Sequence, residues 1–203
     1  MPRLLLLRHG QSIWNAEERW QGWADPPLSP LGVHQAAAAA RWLAGSGEPF
    51  AAVACSDLVR ARRTAEIVAE SLGLAPVAVD PGLRERDVGD WTGLTTAEIA
   101  RRWPEELVAW RAGRSQSTPG GEAEPAFVAR LLAGLARLAA GPATGPTVVV
   151  THGGAIRALE RHLGSEVSPV PNLCGRWVEF AGTSPRLGAL AALPALDDDA
   201  IPA

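Results

Sequence analysis

The chain has 203 residues, 47% of them hydrophobic and 20% charged, an ordinary composition for one globular domain with a substantial core. Its formal net charge of −3, without a basic block, argues against nucleic acid or an anionic membrane as the main partner. All 19 Lys or Arg residues are Arg, and Tyr is absent, so a P-loop lysine and a lysine Schiff base are excluded and any phosphate or carboxylate must be held by the planar arginine fork.

The first predicted element is the run Leu4–Leu7 between Arg3 and Arg8. It is too short to span a membrane and reads as a parallel strand buried on both faces. Arg8, His9 and Gly10 would then lie beyond the strand's carboxyl end, where open α/β sheets hold their ligands. Residues 11–30 carry Trp14, Trp20, Trp23, Pro26, Pro27 and Pro30 and predict an ordered loop bordering that site. Ser29 as a cap and Pro30 at the first position predict a helix that runs through the alanines to about Ala44 and stops at Gly45 and Gly47. A strand over 51–55 follows, then a helix from Ser56 to about Leu72 with Arg60, Arg62 and Arg63 in its first turns, and a short strand over 77–79.

Pro81, Gly82, Gly89 and Gly93 mark residues 80–93 as a loop, which carries Glu85, Arg86 and Asp87. Short helices over 95–102 and 104–111 and a polar loop after them predict a cap, residues 94–121, over the site; a long helix over 122–140 comes next. Thr147–Val150 then repeats the pattern of the first strand and runs into Thr151-His152-Gly153-Gly154 and a helix-like segment. Strands over 177–181 and 187–192 would extend the sheet. The acidic, proline-bearing residues 194–203 predict a disordered tail after a single domain of residues 1–193.

Cys55 and Cys174 lie in apolar stretches and read as structural thiols, and no CxxC or HExxH spacing points to a metal site. No signal-peptide pattern or uninterrupted 18-residue apolar span is evident, so a cytoplasmic protein is expected. The oligomeric state is left open, a homodimer included.

The pattern RHGxSxxN at 8–15 is joined by LSPLGVHQA at 28–36, SDLVRARRTA at 56–65, LRERDVGDWTG at 83–93, PGGE at 119–122 and THGG at 151–154. Together, and in this order, they resemble the histidine phosphatase superfamily, also called the phosphoglycerate mutase-like family, over roughly residues 3–180. The expected fold is a three-layer α/β/α arrangement with a central, mostly parallel mixed sheet and a small helical cap, His9 and His152 meeting at the ends of neighbouring strands.

A lone histidine at a strand end would read as an interior residue, but within this motif His9 is expected to be the nucleophile. A neutral imidazole can attack phosphorus when its other nitrogen is held as N–H, here by a backbone carbonyl such as that of Gly10. The resemblance implies that Arg8 and Arg60 bind the phosphate and that Glu85 is the general acid. Asn15 would add neutral donors, His152 a second imidazole that is protonated when phosphate is bound, and Gly153 an amide at a helix N-terminus. Arg62 and Arg63 read as a solvated helix face, and His34 and His162 as surface residues. Asp87 and Asp90 are expected to bond loop backbone and Glu122 to cap its helix. Ala123 stands where the family often has Ser.

The expected activity is hydrolysis of a small-molecule phosphate ester through a phosphohistidine, without metal or cofactor. The nearest rival is a cofactor-dependent phosphoglycerate mutase. Against it, segment 83–121 is short, Val88 stands where such mutases usually have Tyr, no Lys follows in LTTAEI, and the carboxylate-binding arginine pair is not evident in AWRAGRSQS; Arg86 speaks for it. A noncatalytic phosphate binder would need no acid opposite the nucleophile, and a metallohydrolase lacks its ligand spacings.

Overall fold

The computed structural model describes residues 1–167 and 169–191; Ala192 of the expected last strand and the expected tail lie outside them. Six strands, β1 (Arg3–Arg8), β2 (Ala52–Cys55), β3 (Ala78–Val79), β4 (Thr147–Thr151), β5 (Gly175–Ala181) and β6 (Ser184–Ala191), form one sheet in the order β3-β2-β4-β1-β5-β6. The first four in chain order pair in parallel, whereas β5 runs antiparallel to β1 and β6 antiparallel to β5. The helices are α1 (Ile13–Ala16), α2 (Pro30–Gly45), α3 (Val59–Leu72), α4 (Thr96–Arg102), α5 (Pro104–Arg111), α6 (Glu124–Ala139) and α7 (Gly153–His162).

Strand alternation explains why β1 is apolar throughout. Leu5 and Leu7, with Val53, Val148 and Val150, pack against Ala39, Ala40 and Leu43 of α2 and Ala61, Ala65 and Val68 of α3. Leu4 and Leu6, with Val149 and Val178, pack on the other face against Phe127 and Leu131 of α6 and Ile156 and Leu159 of α7. Each leucine side chain withdrawn this way contributes about 2 kcal/mol. The result is the expected α/β/α sandwich. Cys55 belongs to the first cluster, and burial pushes its thiol up to about 12, so it is a packing residue.

The local differences from expectation have local causes. Within the expected loop 11–30, Ser12 and Asn15 form a reciprocal capping box around the four-residue helix α1, a turn too short to show periodicity. Helix α3 starts at Val59, later than Ser56, because Ser56 Oγ accepts the Leu58 amide and completes a turn first. Helix α6 starts at Glu124 after Ala123, with Pro125 in its first turn. Glu122 therefore does not cap it. Trp103 ends α4, and Pro104 opens α5 at once. A third apolar cluster of Val88, Trp91, Ile99 and Leu107, with Trp20, Trp103 and Trp110 against it, joins these two helices to the tryptophan-bearing loop.

The loop after β1 is wedged onto the start of α2. Ser29 caps α2 by accepting the Gly32 amide at 3.0 Å, its own amide bonds Gln11 O at 2.9 Å, and the Gln11 amide donates to Gln35 Oε1 at 2.9 Å. Two glycines make the approach possible. A Cβ on Gly32 would overlap the Gln11 carbonyl, and one on Gly10 would sit 2.5 Å from the Gly32 carbonyl oxygen. Gly32→Ala, although placed in a helix where alanine is favoured, is therefore expected to destabilise the protein by about 2–3 kcal/mol through overpacking; urea unfolding checks this, and an unchanged or raised midpoint would refute it.

Candidate active site

His9 leaves the end of β1 with its amide on Thr151 O at 3.0 Å and its carbonyl held by Asn172 Nδ2 at 2.7 Å. The Gly10 amide donates to Thr64 Oγ1 at 3.1 Å, and that hydroxyl donates to Arg60 O at 2.8 Å, which ties the loop to α3. His9 Nδ1 lies 2.6 Å from its neighbour's carbonyl, Gly10 O. Only an N–H can satisfy that oxygen, so Nδ1 carries the proton and Nε2 presents a lone pair. Arg60 Nε donates to that lone pair at 3.3 Å. Burial, then the charges of Arg60 and Arg8, hold the His9 pKa well below its ordinary value against the opposing Gly10 bond.

His152 follows β4 as His9 follows β1. The ring centroids are 5.1 Å apart, edge to face at 65°. His152 is fully buried, and neither Nδ1 nor Nε2 has a hydrogen-bond partner among the described residues. Burial, then Arg60 and His9, keep its pKa well below the ordinary value too. Burial and the neighbouring positive charges thus disfavour the charged form of both rings.

The arginines that reach the site are held by carbonyls. Arg60, 1% exposed, donates Nη1 to Ala24 O at 2.7 Å and Nη2 to Gly22 O at 2.9 Å, and Asp25 stands 4.0 Å away. Desolvation lowers its pKa to about 10 against the pull of Glu85 and Asp25, so it stays charged at neutral pH. Arg8 donates Nη1 to Val170 O at 2.8 Å, and burial likewise lowers its pKa. Asn15 uses Oδ1 to accept the Ser12 amide at 3.2 Å, while its Nδ2 has no partner among the described residues.

Glu85 is oriented at both ends. Oε2 accepts the Gly154 amide at 2.9 Å and Oε1 the Arg86 amide at 2.8 Å, while its carbonyl accepts Trp23 Nε1 and Arg130 Nη2, each at 2.7 Å. Gly153 opens α7 with its Cα against Arg8, where a Cβ would lie 3.2 Å from Arg8 Cδ. The helix-terminal amide that meets the Glu85 carboxyl group is that of Gly154. Arg8, His9, Asn15, Arg60, Glu85 and Gly153 all line one cavity of about 1430 Å³, with His152 beneath it against His9. Trp14, Trp20 and Trp110 line the same cavity, so both the tryptophan-bearing loop and the cap border the site.

Other expectations divide. Arg62 and Arg63 are exposed and pair with Glu66. Exposed His34 bonds Pro30 O, and His162, although exposed, is among the residues that line the cavity. Asp87 Oδ1 accepts the Gly89 amide at 2.9 Å, as expected, but the Asp90 side chain makes no such bond: its amide bonds Pro119 O. Glu122 is engaged by Arg130 through 2.7 and 2.8 Å bonds. Sequence reasoning missed Arg130 and Asn172, and it placed Trp23 and Gly154 near the site without their bonds to Glu85; the acceptors of Arg130 lie 8 to 48 residues away, which no periodicity records. Among the described residues, no group of three or more His, Cys, Asp or Glu is placed to hold a metal ion, and no helix is long and apolar enough to cross a membrane.

The model of the histidine phosphatase superfamily (branch 1) matches residues 4–188. A 2,3-bisphosphoglycerate-dependent phosphoglycerate mutase of Methylobacterium radiotolerans is 41% identical over 183 residues, 85% of each chain. Among solved structures, a mycobacterial glucosyl-3-phosphoglycerate phosphatase in complex with VO3 aligns with a TM-score of 0.82 at 36% identity, over 94% of this chain and 99% of that one. An α-ribazole phosphatase from Shigella flexneri aligns with a TM-score of 0.78 at 27% identity, over 94% and 96%. With two neighbouring strands delivering paired imidazoles into an arginine-lined cavity and a family match over nearly the whole chain, this protein belongs to the histidine phosphatase superfamily.

Proposed function

We propose that the protein is a phosphomonoester hydrolase acting on small organic phosphates through a phosphohistidine on His9. The observation that carries this reading is the buried imidazole pair, in which His9 presents an Nε2 lone pair and His152 two ring nitrogens without partners. Buried polar atoms are rarely left unsatisfied, and a phosphoryl group here would give a partner to the His152 ring nitrogen that faces it. Its equatorial oxygens would meet Arg8, Arg60, Asn15 Nδ2 and His152, which become the charge-stabilising shell of an in-line displacement. No metal enters this scheme, since the guanidinium groups carry the positive charge.

In the first step His9 Nε2 bonds to phosphorus as the P–O bond to the alcohol breaks, and Glu85 gives its proton to the departing oxygen. In the second, water attacks phosphorus, Glu85 takes a proton from it, the P–N bond breaks and phosphate leaves. Glu85 ends protonated and His9 neutral, as they began. The Gly154 and Arg86 amides hold the carboxyl group through both steps.

A mutase shares the first step, and the mutase relatives favour that second reading. Arg86 argues against it. Its guanidinium donates to Glu122 O, Gln116 O and Glu124 Oε2 and is buried within these contacts, so it is committed to structure and not free for a glycerate carboxylate. Val88 is packed in the cap cluster. With 3-phosphoglycerate primed by 2,3-bisphosphoglycerate, phosphate release is expected to exceed isomerisation. Rapid formation of 2-phosphoglycerate with little phosphate released would select the mutase.

Glu85→Gln should slow hydrolysis of alkyl phosphates by about 10²- to 10⁴-fold, the usual contribution of a general acid. Phosphorylation of His9 by p-nitrophenyl phosphate should suffer far less, because nitrophenolate leaves without a proton, and an acid-labile adduct should accumulate in rapid-quench mass spectrometry. Equal losses for both esters in single-turnover experiments would remove Glu85 from the role of acid.

The depressed histidines also set a pH dependence. A histidine whose folded pKa lies below its unfolded value of about 6.5 adds stability above that value and loses it as pH falls through the folded pKa. The urea midpoint should therefore decline below about pH 6.5, with less decline in His9→Gln and His152→Gln. In the ligand-free protein, ¹⁵N spectra at pH 6 should show both rings neutral, His9 as the Nδ1–H form; a charged ring at that pH would contradict the burial argument.

A further inference from the structure

Arg130 uses every N–H of its guanidinium. Nε donates to Glu122 Oε1 at 2.7 Å, Nη2 to Glu122 Oε2 at 2.8 Å and to Glu85 O at 2.7 Å, and Nη1 to Arg84 O at 2.9 Å and Gly82 O at 3.1 Å. An arginine has five such donors, and all five are engaged. Three of the acceptors are main-chain carbonyls of the 82–85 segment, so one side chain of helix α6 grips the loop that carries the acid. The fork is braced by ring contacts: its Cζ lies 4.8 Å from the Phe127 ring centroid and 5.7 Å from that of Trp23. Trp23 itself donates to the same Glu85 carbonyl.

Glu122 completes the bracket. Its two oxygens fix the plane of the guanidinium, its carbonyl accepts Arg86 Nε at 2.9 Å, and its amide bonds Asp87 O at 3.0 Å. The acid at 85 is thus framed by Arg130 through its own carbonyl and, at its carboxyl end, by the Arg86 and Gly154 amides. A shift of the backbone at Glu85 would move the carboxyl group relative to the Nε2 of His9, and in-line proton delivery tolerates little misplacement. This coordination touches no reacting atom and does not line the cavity near His9.

We infer that Arg130, oriented by Glu122, is a positioning residue for Glu85, holding the loop so that its carboxyl group stands where the leaving oxygen needs a proton. The inference rests on the reading of Glu85 as the acid. A lysine cannot replace the fork, because a tetrahedral ammonium offers three donors and no plane to match both a carboxylate and three carbonyls.

The test compares Arg130→Lys, Glu122→Gln and Glu85→Gln on an alkyl phosphate and on p-nitrophenyl phosphate in single-turnover phosphorylation. Arg130→Lys is expected to reduce the alkyl rate about tenfold or more, a part of the full general-acid contribution, with the nitrophenyl rate and the apparent affinity for either ester little changed. Glu122→Gln should give a smaller loss of the same kind. In the Glu85→Gln background Arg130→Lys should add almost nothing, since both act through one carboxyl group. Losses that are equal for the two esters, or that add in the double variant, would overturn the inference and leave Arg130 a purely structural residue. If Arg130→Lys fails to fold, Glu122→Gln decides alone: a leaving-group-independent loss or none at all counts against the inference. Glu85→Gln with no leaving-group preference would instead sink the acid assignment itself, a result recognisable without reference to Arg130.

Discussion

The side-by-side parallel pairing of β1 and β4 is the constraint on which the rest of the site depends. Arg8 stands opposite Thr151, so the residues that follow, His9 and His152, leave the sheet at the same level. The His9 amide still bonds Thr151 O, which carries the ladder one residue past the strand. A one-residue slip would draw Arg3 or Arg8 into a fully buried position of β1 and separate the two rings. Register is therefore set by hydrophobic burial on both faces of the sheet, and the imidazole pair inherits its geometry from that core.

Electrostatics build on this frame through a division among the arginines. Those that reach the His9 end of the cavity are oriented chiefly by main-chain carbonyls: Arg60 by Gly22 and Ala24, Arg8 by Val170. A carbonyl fixes a guanidinium without cancelling its charge. The arginines that tie segments together are matched to carboxylates instead, Arg84 to Asp57, Arg86 to Glu124 and Arg130 to Glu122. Positive potential is thus left over where an anion would bind and is neutralised elsewhere. Burial, and then this charge, hold the pKa of both imidazoles well below the ordinary value.

How much of this was legible in the sequence follows from the range of each interaction. Leu4–Leu7 and Val148–Val150 announce strands buried on both faces because burial is written into residue type, and each run ends at a His-Gly pair. Ser29-Pro30 announces a helix start because a cap is a local device. The placement of His9, Glu85 and Arg60 around one cavity followed from a resemblance spread over several motifs. What escaped were contacts between distant segments. Arg130 is an ordinary polar position on an amphipathic helix until its partners at 82–85 are in place, and Glu122 resembles a cap until Arg130 claims it. Asp90 and the turn at α1 were misread because a short loop admits several hydrogen-bond patterns and the sequence does not rank them.

The bond from His9 Nδ1 to the carbonyl of Gly10 has an evolutionary consequence. In many enzymes a separate side chain chooses the tautomer of a working histidine, and a single codon change can remove it. Here the chooser is the peptide group of the very next residue, which every amino acid possesses. Point mutation cannot delete it; it can only disturb the path of the chain, and the tight fit of Gly10 against Gly32 guards that path. The cap, the cavity wall and the outer loop are thus free to drift towards new substrates while the protonation pattern of the histidine passes unchanged through every variant that still folds.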